Sequence, residues 1–318
     1  MIAVDEYADF LVAEYLDSYI AGGGAAVKFV VAGGAGEAEH FSRTVSERAA
    51  ADGYVTVRVD AVDVRVHLID QIFFAVAARI DWDALAARRV RETFAAVSHP
   101  VADGSSDVSV EAVAAHHQVD AGELSRDMNR RLQQDVFHDY EMVQEFRIAM
   151  LRLCQAQMRT GQVTEAEHDA VLAWLRGELH KISLLRTAMI FRRIGRHNAR
   201  QLLFSLAHWL GVNGHAGLLV EVDVRRFGFA RRPQADERHG FYYTKANLLD
   251  GYELLRQLVD NTDELSHCCV VVIAAPEFIS DVSRGVDAYQ ALKLRIFDEV
   301  RDRNRDNPYS SLIRLGSA

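Results

Sequence analysis

The sequence predicts an α/β protein built on a parallel β-sheet, and three observations lead to this prediction. Five short runs rich in Val, Ile or Leu are typical of strands: 27–32, 54–61, 217–223, 268–275 and 311–315. Segments with apolar residues at helical spacing lie between them. The 318 residues are 49% hydrophobic and 25% charged, which is an ordinary globular composition. Strands that alternate with helices indicate a parallel sheet covered on both faces.

The N-terminal quarter contains the first two strands and two helices. Aromatic and aliphatic residues at helical spacing predict an amphipathic helix over 5–20, and the glycines at 22–24 end it. The first strand, 27–32, is followed by a helix over 37–51. The Val-rich alternation of 54–61 predicts the second strand.

The middle of the chain is almost entirely helical in pattern, from about residue 65 to 210. Residues 99–109 interrupt it as a loop. Thr164 and Glu167 have the spacing of a capping box at a helix start. We therefore predict three parts: an N-terminal part of the sheet domain (1–64), a helical insertion (65–210) and a C-terminal part of the sheet domain (211–318).

Charge and hydropathy exclude several classes of protein. A net charge of −9 argues against broad, nonspecific nucleic-acid binding. Three cysteines, two of them adjacent in a strand-like run, do not form a disulfide framework. Acidic residues interrupt the start of the chain, so no signal peptide is expected, and the longest apolar run is too short to span a bilayer. The sequence predicts a soluble, cytoplasmic protein.

A Gly/Ala loop follows the first predicted strand, in the segment FVVAGGAGEAEHF at 29–41. This strand–loop–helix frame is that of a phosphate-binding P-loop. A working P-loop ends in Gly-Lys-Ser/Thr, where the lysine reaches the terminal phosphates and the hydroxyl contacts Mg²⁺. Here Gly36 is followed by Glu37, Ala38 and Glu39. The frame is present, and the residues that hold a nucleotide are missing.

Four further segments carry a specific resemblance. They are WLRGE at 174–178, RRIGRHNARQLLFSLAHWLGVNGHAGLLVEVD at 192–223, GYELLRQLVDNTDEL at 251–265 and VVVIAAPEFISDVSRGVDAYQAL at 270–292. In this order and spacing the chain resembles the ATP-binding proteins of BREX-type phage-defence systems. The resemblance covers about residues 25–60 and 165–315. It implies a three-layer, AAA+-like P-loop fold with strand order 5-1-4-3-2.

The resemblance also implies where a nucleotide site would lie. Aligned on the His40-Phe41 pair, Ala38 replaces the P-loop lysine and Glu39 the hydroxyl residue; aligned on Gly36, Glu37 and Ala38 replace them. The vestigial site would contain Gly33, Gly34, Gly36, Glu37, Ala38, Glu39, His40 and Asp223. Asp223 occupies the position of the Mg²⁺-linked carboxylate, and Val224 stands where active relatives place the glutamate that orients water.

Other predicted features lie further along the chain. Ala274 and Ala275 replace a polar sensor, and Arg284 and Arg295 match family arginines that could face a neighbouring subunit or form surface ion pairs. Glu221 is predicted to have a structural role, paired with Arg58 or Arg225. The helical lid that follows the fifth strand in the family is expected to be missing.

Three functional hypotheses remain open. The leading one is a degenerate P-loop ATPase-like protein that does not hydrolyse ATP and acts as an interaction or regulatory subunit. The first alternative is an active ATP-binding component of a BREX-like, DNA-linked defence system, with an unusual residue, such as a partner's arginine, replacing the lysine. The second is an enzyme of another class that reuses the cleft, where Glu37, Glu39, His40 and Asp223 would converge.

The expected ligands and partners follow from these hypotheses. No catalytic residue, metal or cofactor is expected, and ATP with Mg²⁺ would bind weakly or not at all. Proteins or further copies of the chain are the expected partners. Nucleic acid would bind only through a local basic patch, formed by Arg192, Arg196 and Arg200 on one helix face. The alternative is that this face is a solvated helix surface without a partner.

Overall fold

Residues 1–229, 239–297 and 306–316 are described by the computed structural model of the chain. The chain divides into two units. The sheet unit comprises Met1–Val76 and Ala207–Ala318, and the helical unit comprises Ala77–Leu206. The predicted C-terminal part, 211–318, includes 230–238, 298–305 and 317–318, which lie outside the described residues. The predicted bounds of the three parts stay a prediction.

The sheet unit contains one five-stranded, all-parallel sheet. Its strands are β1 (Ala25–Val31), β2 (Tyr54–Asp60), β3 (Gly217–Asp223), β4 (Cys268–Ala274) and β5 (Leu312–Arg314). Their order is β2-β3-β4-β1-β5. This is the predicted order 5-1-4-3-2 seen from the other edge, so the predicted α/β fold class and order are confirmed. Each strand begins and ends within two residues of its predicted bounds.

The burial of the strands explains why they could be predicted from the sequence. Every residue of β1, β3 and β4 is buried, whereas the edge strand β2 alternates between buried and half-buried positions. Central strands of a parallel sheet are covered on both faces and therefore need continuous apolar runs. Lys28 is the exception within β1. Its Nζ donates to the Tyr15 hydroxyl at 2.7 Å and to the Tyr309 carbonyl at 2.8 Å, which satisfies the buried amine.

Twelve α-helices are present in the described residues. In chain order they are α1 (Val4–Phe10), α2 (Ala35–Ala51), α3 (Ile69–Ala77), α4 (Trp82–Ala96), α5 (Val110–His117), α6 (Ala121–Leu132), α7 (Gln144–Gln157), α8 (Glu165–Leu175), α9 (Ala199–Val212), α10 (Lys245–Asp260), α11 (Glu277–Ser280) and α12 (Gln290–Ile296). The helix predicted over 5–20 changes its hydrogen bonding halfway, because α1 continues as a π-helix over Leu11–Ile20.

Helix α2 and the N-terminal helix cover one face of the sheet. Their buried side chains and those of the sheet form one apolar cluster, which includes Tyr7, Leu11, Leu16, Phe41, Val45, Val30, Leu219 and Val271. The Phe41 ring stacks on Tyr7 with 5.9 Å between the ring centroids. This packing fixes α2, and therefore the loop that precedes it, against the carboxyl ends of the strands.

The helical unit shows the local signals that the sequence contained. No helix covers 98–109, between α4 and α5, where a loop was predicted. At the start of α8 the Thr164 hydroxyl accepts a hydrogen bond from the Glu167 backbone N–H at 3.2 Å. The reciprocal half of the capping box does not form, because the Glu167 carboxylate pairs with Arg152 at 2.5 Å. Among the described residues, no helix combines the length and apolarity that crossing a membrane requires.

Candidate functional site

The candidate site lies at the carboxyl ends of β1, β2 and β3. In open parallel sheets, ligands bind at this edge because loops and helix N-termini converge there. Asp60 ends β2 and Asp223 ends β3, and the two residues are register partners. The loop between β1 and α2 lies at the same edge. The glycines of this loop, Glu37, Glu39 and Asp223 therefore lie at one edge of the sheet, whereas Ala38 and His40 of the predicted site do not face it.

The loop between β1 and α2 is short. Strand β1 ends at Val31 and α2 begins at Ala35, so only Ala32, Gly33 and Gly34 connect them. The P-loop motif has eight residues, and the backbone N–H groups of its loop and of the helix N-terminus surround the phosphates. Here Gly36 is already inside the first turn of α2 and is solvent-exposed. The loop turns the chain directly from strand to helix.

Glu37 occupies the position above this loop. Its Oε2 accepts a hydrogen bond from the Gly33 backbone N–H at 2.8 Å. A Cβ placed on Gly33 would come within 2.9 Å of the same oxygen, so the carboxylate lies directly against the glycine. A helix N-terminus favours a negative charge. Glu37 supplies that charge from within the chain.

Four side chains form an ion-pair network behind the loop. The Arg58 guanidinium donates to both carboxylate oxygens of Glu39, at 2.6 and 2.7 Å, and to Asp223 Oδ2 at 2.9 Å. The Arg225 guanidinium donates to Asp223 Oδ2 at 2.6 Å and to Glu39 Oε1 at 2.9 Å. Both Asp223 oxygens accept from Arg225 Nε at 3.0 Å. We call these four residues the arginine–carboxylate network.

The network extends from the protein interior to solvent. The Asp223 side chain is 2% exposed, Arg58 and Arg225 are 29% and 22% exposed, and Glu39 is 55% exposed. Hydrogen bonding to Arg58, more than the contact with Arg225, lowers the pKa of Glu39 to about 2. Partial burial, with a smaller contribution from the negative charge of Asp223, raises the pKa of Asp60. Two cations thus neutralise the carboxylates of Glu39 and Asp223.

The remaining predicted site residues lie apart from this network. Ala38 is fully buried against the apolar cluster. His40 points toward the N-terminal helix, where its Nε2 lies 2.8 Å from Asp5 Oδ1 and its Nδ1 lies 3.3 Å from Arg43. The structure therefore brings Glu39 to Asp223, places Glu37 on the loop, and leaves His40 on the outer side of α2.

Glu221 has different partners from those that the sequence suggested. It is 1% exposed and accepts hydrogen bonds from the hydroxyls of Ser42 and, at 3.1 Å, Ser46. The predicted pairing with Arg58 or Arg225 is wrong, because both guanidiniums bind Asp223, two residues nearer the open edge. Burial raises the pKa of Glu221, and the two serine hydrogen bonds and the charge of Arg58 oppose this increase.

The buried Glu221 carboxyl gives the protein a testable pH dependence. Since its folded-state pKa is raised, its contribution to stability is complete below the unfolded pKa and is lost as the pH rises through the folded pKa. We expect Glu221→Gln to raise the free energy of unfolding by about 1–2 kcal/mol at pH 8, because a neutral amide replaces a buried charge. The difference should disappear toward pH 4, in urea titrations at a series of pH values.

A second carboxylate provides the control with the opposite sign. Hydrogen bonding to Arg256 lowers the pKa of Glu253 to about 2. Glu253→Gln should therefore reduce stability at neutral pH, and this reduction should fade as the pH falls below the unfolded pKa. A Glu221→Gln variant that is less stable than the parent at pH 8 would contradict the assignment of Glu221 as a costly buried charge.

The two family arginines have contacts within the chain. Arg284 is only 8% exposed, and its guanidinium donates to the Phe227 carbonyl at 2.9 Å and the Tyr243 carbonyl at 2.8 Å. Arg295 is 46% exposed and pairs with Asp260 at 2.9 Å. A contact with a neighbouring subunit stays a prediction for both.

The basic patch is arranged differently from the predicted helix face. Helix α9 begins at Ala199, and residues 191–195 have no regular structure. The expectation that Arg192, Arg196 and Arg200 share one helix face is therefore wrong, because only Arg200 lies on the helix. Buried anchors in this segment, including Ile190 and Ile194, hold an irregular path that local periodicity did not reveal.

The role of Arg58 in the network was not predicted from the sequence. It could have been inferred from the ends of β2 and β3, since both strands finish at an aspartate. Aligning Asp60 with Asp223 places Arg58 beside Glu221 and on the same face of the sheet. What the alignment could not supply is the length of the guanidinium side chain, which reaches diagonally to Asp223 and up to Glu39.

Comparison with known protein families gives a match over nearly the whole chain. The sequence model of a protein family described as "BREX system ATP-binding protein BrxC/D" matches residues 9–317. Neither the curated proteins nor the solved structures contain a match. Among the described residues, no group of three or more His, Cys, Asp or Glu side chains could hold a metal ion.

Proposed function

The chain belongs to the family of BREX system ATP-binding proteins BrxC/D, since the family match covers residues 9–317, and from this premise we propose that it is a non-hydrolysing member. It would act as an interaction or regulatory subunit that binds protein partners. The observation that carries this proposal is the arginine–carboxylate network, which places the chain's own ion pairs where the family's nucleotide would need free ligands.

The network makes Mg²⁺–ATP a poor fit. Mg²⁺ in nucleotide sites takes carboxylate, water and phosphate oxygens in an octahedral arrangement. Asp223, the carboxylate at the expected position, accepts from Arg225 through both oxygens and from Arg58 through one. Binding the metal would break these contacts and leave two guanidiniums to be accommodated. The ion pairs satisfy the charges of Asp223, Arg58 and Arg225 in the absence of a ligand.

The loop between β1 and α2 is also a poor fit for a triphosphate. Three residues between β1 and α2 are too few to surround a phosphate in the way of the eight-residue motif. The Glu37 carboxylate already accepts the Gly33 N–H. A second anion about 4 Å from this carboxylate would be disfavoured by about 4 kcal/mol at an effective dielectric of about 20. Val224 is 3% exposed and offers no carboxylate to orient water.

A second function is favoured by one specific observation. Arg58 and Arg225 bring two cations to the edge where the P-loop lysine is missing. If Glu39 released them, these guanidiniums could hold phosphate oxygens, and the chain would be an ATP-binding component of a DNA-linked BREX system. This function predicts that nucleotide binding appears on oligomerisation or on addition of DNA.

The deciding measurement is the affinity for a fluorescent ATP analogue with Mg²⁺. We expect no saturable binding up to about 1 mM, a limit that corresponds to about −4 kcal/mol of binding free energy. Micromolar affinity with release of phosphate would overturn the proposal. Binding that requires double-stranded DNA would support the second function instead.

A matched variant sharpens this measurement. Glu39→Gln removes the exposed carboxylate of the network and leaves Asp223 and both arginines in place. Under the leading proposal this variant also fails to bind the analogue, because the loop and Glu37 are unchanged. Under the second function it binds more tightly than the parent chain, since two guanidiniums become available to phosphate.

A further inference from the structure

A long acid-free stretch lies in the second half of the chain. No Asp or Glu occurs from residue 179 to residue 220, although the whole chain carries 45 acidic residues. The same stretch contains six Lys or Arg residues: Lys181, Arg186, Arg192, Arg193, Arg196 and Arg200. Their charge is therefore not balanced by sequence neighbours, in a protein whose net charge is −9.

Residues 180–193, which we call the basic–apolar loop, form a closed and anchored segment of the helical unit. The Arg193 guanidinium donates to the His180 carbonyl and brings the two ends of the loop together. The Ile190 N–H donates to the Leu185 carbonyl at 3.1 Å, and Leu185, Ala188 and Ile190 are at most 2% exposed. Compact surface loops with close ends and their own packed side chains are frequently functional.

Three large apolar side chains point outward from this anchored loop. Leu184, Met189 and Phe191 are 57%, 65% and 63% exposed, while their immediate neighbours Leu185 and Ile190 are buried. Met189 has a φ of +60°, in the left-handed region that a residue with a Cβ adopts at an energetic cost. Three exposed large apolar side chains on one short loop with a fixed backbone favour an interaction surface.

The same loop carries several cations. Lys181, Arg186, Arg192 and Arg193 are exposed members of the same loop. Among the described residues, none of the ion pairs involves these four side chains. The surface thus combines unneutralised positive charge with exposed Leu, Met and Phe.

We propose that the basic–apolar loop binds an acidic protein segment that inserts apolar side chains between Leu184, Met189 and Phe191. This inference rests on the proposed role as an interaction subunit and names the surface and the chemistry of its partner. Arginine, methionine and aromatic residues are enriched in protein–protein interfaces. Carboxylates would pair with the arginines, and apolar groups would cover the side chains that water now contacts.

Nucleic acid fits the same surface less well. Its phosphates would satisfy the cations, but aliphatic side chains such as Leu184 and Met189 gain nothing from a phosphate backbone. Single-stranded nucleic acid stacks on a series of aromatic side chains, and the loop offers only Phe191. An acidic peptide with apolar residues uses both halves of the surface.

The test is a selection of phage-displayed random peptides against the full chain, followed by affinity measurements on synthetic copies. We expect the selected peptides to combine several Asp or Glu residues with at least two large apolar residues. Their Kd should rise at least tenfold in Leu184→Ser/Phe191→Ser and in Arg186→Gln/Arg192→Gln. It should also rise with salt concentration, because the ion pairs are at the surface.

Two kinds of control keep folding separate from binding. Tyr140→Ser and Arg130→Gln alter side chains of the same unit that are 77% and 71% exposed, and they should leave the Kd unchanged. Met189→Gly relieves the left-handed backbone at Met189 and removes the apolar side chain. It should weaken peptide binding by several fold at a Tm no lower than that of the parent chain.

Several results would overturn the inference. They are selected peptides without carboxylates, affinities insensitive to the loop variants, displacement of the peptides by a twenty-residue oligothymidylate that binds more tightly, or a dimer that dissociates in Leu184→Ser/Phe191→Ser. Detection of micromolar nucleotide binding in the separate ATP measurement would overturn the proposed loss of nucleotide binding. It would not change the affinities of the selected peptides for the loop, so the two failures can be told apart.

Discussion

Replacing Arg58 by Met is expected to lower the free energy of unfolding by about 2–3 kcal/mol at pH 7. Arg58 connects the buried Asp223 to the exposed Glu39, and its loss removes one of two cations from a carboxylate that is 2% exposed. Removing one partner of a fully buried pair costs about 3–5 kcal/mol. The expected loss is smaller here because Arg225 still contacts Asp223 at 2.6 Å. Urea unfolding measures the difference.

Two further variants test the physical reason for this loss. Glu39→Gln changes a carboxylate that is 55% exposed, so it should cost less than about 1 kcal/mol. In Arg58→Met/Asp223→Asn the buried charge is gone together with one of its partners. We expect this double variant to recover part of the stability that Arg58→Met loses, since no underpaired carboxylate remains buried. A double-mutant cycle compares this double variant with Arg58→Met alone and with Asp223→Asn alone. Additive losses of stability in that cycle would show that the two residues do not act as a pair.

Replacing Arg284 by Met is expected to lower the free energy of unfolding by about 3 kcal/mol. The buried guanidinium donates to the carbonyls of Phe227 and Tyr243, which belong to different segments of the sheet unit. Leaving a buried acceptor without its donor costs about 1–3 kcal/mol, and two acceptors are affected. Met keeps most of the side-chain volume, so a cavity contributes little to the loss. Thermal or urea unfolding measures the effect.

The same variant separates an intramolecular role from a contact between subunits. Arg284→Lys should lose an intermediate amount of stability, because an ammonium lacks the planar fork that reaches two carbonyls. Arg295→Met, at a side chain that is 46% exposed, should change stability by less than about 1 kcal/mol. If Arg284 instead serves a neighbouring subunit, Arg284→Met would leave the free energy of unfolding unchanged and would alter the mass in solution.

The strands and their order could be predicted because the information is local or topological. The continuous apolar run of β4 follows from burial on both faces of a parallel sheet. The order of strands came from the family resemblance, and the observed order β2-β3-β4-β1-β5 confirms it. The irregular path before α9 was not predicted, because its buried anchors depend on packing rather than on a repeating pattern.

The composition of the site was visible in the sequence, and its pairing was not. Glu37, Glu39 and Asp223 could be placed at one edge of the sheet from the order of the elements alone. Which cation each carboxylate binds depended on side-chain reach and depth: Arg58 and Asp223, 165 positions apart, meet because β2 and β3 are neighbours. Glu221 lies two residues further inside β3 and accepts hydrogen bonds from the Ser42 and Ser46 hydroxyls instead.

The sequence by itself therefore determined the parallel sheet, the position of the loop after β1 and the residue types at the candidate site, with no lysine from Gly33 to His40 and with Val224 after Asp223. These are properties of residue type and order. Only the tertiary structure decided that the loop has three residues, that Glu37 accepts the Gly33 N–H and that Arg58 and Arg225 both donate to Asp223. The reason is physical: a buried charge must find a partner within about 4 Å, and only folding brings such distant residues that close.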